Sequence, residues 1–239
     1  MHRTVSVPDH AHPLDELVEV MDRLRSPGGC PWDAAQTHAS LAKHTLEEAY
    51  ELVETIEADD RAGMREELGD LLLQVVFNAR VAQEHEGEPF GIDDVARDLT
   101  AKLVRRHPHV FADESYVDDA GLTARWDAIK QQEKSRTSCL DGIPLAQGAL
   151  SRAQKVLSRA GRAGLLPDPP AAPVGGAVGG DAAAVGAALL GLVRHAQEVG
   201  VDAEGALRAA SRELEAQVRA AEVGSRAPLG ASAGEEGVT

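Results

Sequence analysis

Aromatic side chains are scarce, at 3% of 239 residues, with two Trp, two Tyr and three Phe. A chain so poor in strand-favouring rings and so rich in Ala, Leu, Glu and Arg points to an all-α protein. Cysteine is nearly absent: Cys30 and Cys139 are the two thiols. Neither lies in a Cys-x-x-Cys or Cys/His spacing, which argues against a zinc site or a disulfide framework and leaves reduced, structural thiols. Basic charge is in deficit, with 24 Lys plus Arg against 39 Asp plus Glu and a formal charge of −15. That field repels nucleic acid and anionic membranes, so neither is expected as a partner. No uninterrupted apolar run approaches the roughly 18 residues of a membrane span. The opening MHRTVSVPDHAHPLDE has no apolar stretch of signal-peptide length, and a cytoplasmic location is the expectation.

What is present is helical periodicity, and 43% hydrophobic content is enough for a core. Leu14, Leu17, Val18, Met21 and Leu24 follow helical spacing until Ser26-Pro27-Gly28-Gly29 breaks it. After a loop, CPWDAAQT, a second pattern runs through Leu46, Ala49, Tyr50, Val53 and Ile56 and ends near Asp59-Asp60. A third runs from Met64 to Ala79, and its stretch 71–77 is apolar nearly all round, which predicts a buried central helix. A fourth starts after Gly91 with Asp93 or Asp94 as N-cap, passes Val95, Leu99 and Leu103, and stops at Pro108; Leu122, Trp126 and Ile129 suggest a fifth. The reading is of a flexible segment 1–13, a main domain 14–160, a Gly/Pro/Ala-rich linker 161–181, a helical region 182–223 and a disordered tail 224–239.

The second and third helices form an acidic hairpin. Residues three or four apart share a helical face, so Glu48 with Glu51, and Glu67 with Asp70, each present a pair of oxygen ligands. Antiparallel packing brings the four carboxylates to one place. Asp70 directly precedes the apolar run, and clustering these groups near the core boundary without a cation costs several kcal/mol. A Mg²⁺ ion, with its preference for hard oxygen ligands, removes that cost. The competing reading is a solvated glutamate face in which Thr45 and Glu48 make a capping box.

Glu47-Glu48-Ala49-Tyr50-Glu51 followed by Glu67-Leu68-Gly69-Asp70 resembles the EExxE…ExxD signature of the MazG nucleotide pyrophosphohydrolases. Three further segments agree with it: CPWD at 30–33 with Gln36-Thr37, KLVRRHPHVF at 102–111 and RWDAIKQQEK at 125–134. The resemblance covers about 14–160. It implies a helical bundle completed by dimerisation or higher homo-oligomerisation. It also implies hydrolysis of nucleoside or deoxynucleoside triphosphates between the α- and β-phosphates, for nucleotide-pool sanitation or control. Mg²⁺, with Mn²⁺ as a substitute, would be held by Glu48, Glu51, Glu67 and Asp70; Glu47, with Glu48 the catalytic pair, would orient or deprotonate the attacking water.

Lys102, Arg105 and Arg106 gather three cations on one face of the fourth helix, a suitable seat for a triphosphate. Their alternative role is to complement the helix macrodipole. Trp126 and Lys130 are i, i+4 partners fit for a base or sugar and a phosphate, with core packing as the rival for the indole. Trp32 is a further substrate-contact candidate, its rival role being a plug over the end of the bundle. His107 and His109 flank Pro108 and read as a turn capping the helix, since Mg²⁺ does not call for imidazole.

Members of the family often carry two such domains. Here 151–155 resembles the start of a second and 189–217 its later helices, but Pro, Gly and Ala replace the acidic hairpin, and Glu213, Ala216 and Gln217 stand where cations are expected. This half reads as a degenerate remnant, and a chain ending near residue 160 is expected to keep activity and to dimerise. Two other readings stand beside the main one: a related all-α pyrophosphatase with one dedicated nucleotide, and a non-catalytic dimeric nucleotide sensor or interaction module. A ferritin-like di-iron centre would need Glu-x-x-His pairs that the hairpin lacks.

Overall fold

In a computed structural model the described residues are 12–112, 118, 121, 137–166 and 180–225, and among them the regular structure is entirely helical. The chain divides into two compact units, Met1–Trp126 and Asp127–Thr239. The fifth helix expected through Leu122, Trp126 and Ile129 lies outside the described residues, as do most of the linker and the tail.

The first unit holds α1 (Pro13–Arg25), α2 (Pro31–Ala35), α3 (His38–Glu57), α4 (Arg61–Ala82), α5 (Ile92–Arg106) and α6 (Pro108–Phe111). Pro13 occupies the first turn of α1, where its missing N–H is no loss, and His12 caps the Leu14 amide. The CPWDAAQT segment, read as loop, contains the short α2, again opened by a proline. Helix α3 begins earlier than its apolar pattern suggests. Thr37 caps it through a reciprocal pair in which the Ser40 amide donates to Thr37 Oγ1 (3.2 Å) and the Thr37 amide donates to Ser40 Oγ (2.9 Å). Thr45 is therefore mid-helix, its hydroxyl donating to the Leu41 carbonyl, and the Thr45–Glu48 capping box does not exist. Gly91 caps α5, in place of Asp93 or Asp94; Asp94 sits three residues on and accepts from the Gly91 amide at 2.9 Å. Pro108 both ends α5 and opens α6, while the imidazole of His107 lies 2.7 Å from the Leu103 carbonyl.

Helices α3 and α4 form the most extensive helix pairing among the described elements. Their connection is tight: Asp59 adopts φ +53°, and Asp60 caps α4 by accepting from the amides of Ala62 and Gly63, both at 3.1 Å. Met21, Leu41, Val76 and Phe77 form the core between α1 and this hairpin, with Leu17, Val18, Leu24, Leu72, Leu73, Val81 and Ile92 packed around it. The stretch 71–77 is less buried than its composition predicts. Val76 and Phe77 are interior, whereas Val75 is 43% exposed and Gln74, the one polar residue of the run, is only 6% exposed. Helix α4 packs on α1, α3 and α5, and apolar character alone does not bury what those contacts leave open.

The second unit holds α7 (Ala149–Arg162), α8 (Ala182–Glu198) and α9 (Ala203–Ser225), with Ile143, Leu157, Ala160 and Val193 buried. Helix α7, placed at the end of the first domain by the sequence reading, packs on α8 and α9. Polar contacts fasten it: Ser151 donates from its amide and hydroxyl to Glu204, and the Gln154 carboxamide donates to the Val201 carbonyl (2.6 Å) and accepts from the Ala203 amide (3.0 Å).

Candidate metal and nucleotide site

The hairpin positions the acidic residues by simple periodicity. Glu48 lies on α3 and Glu67 and Asp70 on α4, and antiparallel packing brings one carboxylate oxygen from each to within 4.8 Å of the other two. All three side chains are half-buried, and Glu67 Oε2 is fully buried with no hydrogen-bond partner. Glu51, one turn along α3 from Glu48 and exposed, adjoins the group closely enough to repel Glu67.

The electrostatics reflect this crowding. Glu48 is held above the ordinary carboxylate range by burial first, then by the charges of Asp70, Glu51, Glu47 and Glu67. Glu67 is raised likewise, by burial and then by Glu51, Asp70 and Glu66. No cationic side chain figures among these influences, and a buried, unpartnered carboxylate oxygen inside an anionic cluster is an unfavourable arrangement that a hard divalent cation relieves. The donor set is all oxygen, which fits Mg²⁺ or Mn²⁺ and not a metal that prefers imidazole or thiolate. Of the four residues singled out in sequence, three converge directly and the fourth borders them.

The remaining candidates are placed less closely. Glu47 is exposed beside Glu48, with its Oε2 3.4 Å from His44 Nδ1. Lys102, Arg105 and Arg106 occupy the C-terminal turns of α5, a helix that packs on α4; Lys102 and Arg106 are half-buried and Arg105 is exposed. Trp32 projects from α2 and is 57% exposed, and its ring meets the imidazole of His44 edge-on at 6.5 Å. Trp126 and Lys130 lie outside the described residues. In the second unit, Glu213, Ala216 and Gln217 are exposed on α9, and among the described residues Glu48, Glu67 and Asp70 are the one carboxylate group of this kind.

Sequence reasoning missed two residues near this site. His44 precedes Glu48 by one turn of α3, a spacing visible in the sequence. Arg25, the last residue of α1, falls at i+4 from Met21 and i+7 from Val18, on the apolar face, and it is buried. A cation continuing an apolar stripe was the available signal.

Residues 36–111 match the family described as MazG nucleotide pyrophosphohydrolase domain. An uncharacterized 26.1 kDa protein from the blaB 3′ region of Streptomyces cacaoi is 50% identical over 210 residues, covering 87% of this chain and 82% of that protein. The nucleoside triphosphate pyrophosphohydrolase of Escherichia coli K12 is 48% identical over 155 residues, 63% of this chain and 58% of the enzyme. Its namesake from Mycobacterium tuberculosis is 47% identical over 165 residues, 68% of this chain and 50% of the enzyme. The chain thus spans little more than half the length of these two enzymes.

Proposed function

Because the chain belongs to the MazG nucleotide pyrophosphohydrolase family, we propose that it hydrolyses nucleoside triphosphates between the α- and β-phosphates, releasing a nucleoside monophosphate and pyrophosphate. The observation that carries this reading is the convergence of Glu48, Glu67 and Asp70 around a buried, unpartnered carboxylate oxygen. These three, with Glu51, are the residues to hold Mg²⁺ or Mn²⁺. Such an ion polarises phosphate oxygens and offsets charge on the leaving group. Glu47, exposed next to the cluster, orients or deprotonates the attacking water. Lys102, Arg105 and Arg106 neutralise the triphosphate, which a protein of charge −15 otherwise repels.

Two features extend the proposal. The hairpin exposes Leu46, Tyr50, Leu68 and Val75, more apolar surface than a monomer's helix pair needs, and a second copy of the chain is the occupant we assign to it. The second unit serves as a helical remnant whose described residues hold no such carboxylate group. The substrate is the nucleotide pool of the cytoplasm, and no helix among the described residues is long and apolar enough to cross a membrane.

The test is direct. Purified protein is incubated with each nucleoside triphosphate and Mg²⁺, and products are separated by ion exchange. Monophosphate and pyrophosphate are expected, with no turnover in EDTA. Diphosphate and phosphate would overturn the assigned bond, and tight nucleotide binding with no product would establish the sensor reading instead.

A further inference from the structure

Trp32, one of two tryptophans in the chain, stands on a five-residue helix with more than half its surface in solvent. Burial therefore does not explain its placement, yet the backbone that carries it is fastened from two sides. Arg25, whose side chain is 4% exposed, forks onto Glu84, with Nε donating to Oε1 at 3.1 Å and Nη2 to Oε2 at 2.7 Å. Its Nη1 donates to the carbonyls of Asp33 and Gln36, and the guanidinium lies over the Phe77 ring at 5.6 Å. From the other side Gln36 Nε2 donates to the Trp32 carbonyl at 3.0 Å, while Gln36 Oε1 accepts from Ser40 Oγ on α3 at 2.7 Å. Residues 32–36 are thus tied to α1 through Arg25 and to α3 through Gln36, and Arg25 is itself held by Glu84 and by Phe77 of α4.

The consequence is a fixed aromatic corner. The indole meets His44 at 6.5 Å with an interplanar angle of 61°, and His44 stands one helical turn before Glu48. We propose that Trp32 and His44 form the seat of the nucleobase, and that Arg25 is a positioning residue which holds this seat in register with the carboxylates through the carbonyls of Asp33 and Gln36. The inference rests on the pyrophosphohydrolase reading, which puts the phosphates at the carboxylates and leaves the flat, weakly polar end of the nucleotide to be received nearby. Stacking surfaces accept any base because every base has a π-face, so the seat implies broad base tolerance.

The test measures kcat and KM for one nucleoside triphosphate with Mg²⁺ in Trp32→Ala, Trp32→Phe, His44→Ala, Arg25→Lys and the Arg25→Lys/Trp32→Ala double variant. Loss of the Trp32 indole raises KM roughly tenfold with kcat changed by less than about twofold, and Trp32→Phe recovers most of the loss, whereas His44→Ala raises KM and also lowers kcat, because His44 Nδ1 lies 3.4 Å from Oε2 of Glu47. Arg25→Lys raises KM in the wild-type background and adds little once Trp32 is gone, the signature of a residue acting through another. Inhibition by inorganic tripolyphosphate, which has no base, is the same in wild type and Trp32→Ala. Unchanged KM in Trp32→Ala, additive effects of the two substitutions, or weakened tripolyphosphate binding would each overturn the seat. Should Arg25→Lys fail to fold, Gln36→Ala releases the Trp32 carbonyl from α3 and must raise KM in the same way. If the wild type makes no monophosphate and pyrophosphate, the enzymatic reading fails by itself. The seat is then read in a Trp126→Phe background, where a nucleoside monophosphate must quench Trp32 fluorescence in the parent and not in Arg25→Lys; no quenching in the parent overturns it.

Discussion

Glu48 and Glu67 are charged groups whose neighbours are mostly of the same sign, so each withholds stability from the metal-free protein at neutral pH. Because their folded-state pKa values lie above the ordinary 4.5, the native state takes up protons more readily than the unfolded chain across that interval. The missing stability returns as pH falls through the raised values and is complete below 4.5. Metal-free Glu48→Gln is therefore expected to melt higher than wild type at neutral pH, with the gap closing on acidification. Glu84 titrates in the opposite sense, since its two arginine partners hold it low and its contribution is lost in acid, but it cancels in the comparison. Added Mg²⁺ should raise the melting point of wild type well above that of the variant. The same substitution, or Asp70→Asn, removes a ligand and should lower kcat roughly 10²- to 10³-fold, the equivalent of a few kcal/mol of transition-state stabilisation. A variant with full turnover, or a metal-free wild type more stable than Glu48→Gln, would contradict the cluster as described.

At the scale of elements, the turn after α1 decides where α2 sits. Gly28 has φ +85°, and a Cβ at Gly29 would overlap the carbonyl oxygens of Arg23 and Leu24, which are backbone atoms that cannot swing aside. Gly29→Ala is expected to cost about 2 kcal/mol or more in chemical denaturation. Arg25→Ala should cost about 2–3 kcal/mol, less than a fully buried pair because Glu84 keeps contact with water and with Arg80. Both elements of the acidic hairpin were legible in the sequence, because i, i+3 carboxylates and an apolar stripe are local patterns. Helix boundaries were less so: Thr37 and Gly91 act as caps through partners three residues away, while Thr45, Asp93 and Asp94 had the right chemistry at the wrong place. The burial of Arg25 was hidden for a different reason. Its partners Glu84 and Phe77 lie far along the chain, and only the packing of α1 on α4 unites them.

At the scale of the whole molecule, the boundary between the two units matters for any dissection. Leu157 and Ala160 on α7 are buried within the second unit, so a chain cut near residue 160 exposes them. Ending the chain at residue 148, before α7, uncovers Ile143 alone and should preserve pyrophosphate release in solution; the longer truncation, which uncovers Leu157 and Ala160 as well, should aggregate, as static light scattering would reveal. Scattering of the intact chain is expected to give a dimer, and a strict monomer with full activity would remove the role assigned to Leu46, Tyr50, Leu68 and Val75. The connection at Asp59 carries one more consequence, this time for the order of folding. A two-helix hairpin closed by so short a turn has low contact order and forms early, which means the carboxylates are forced together before the rest of the bundle can compensate. Their repulsion is then a barrier to refolding as much as a tax on the native state, and stopped-flow refolding should accelerate with Mg²⁺ in wild type but not in Glu48→Gln.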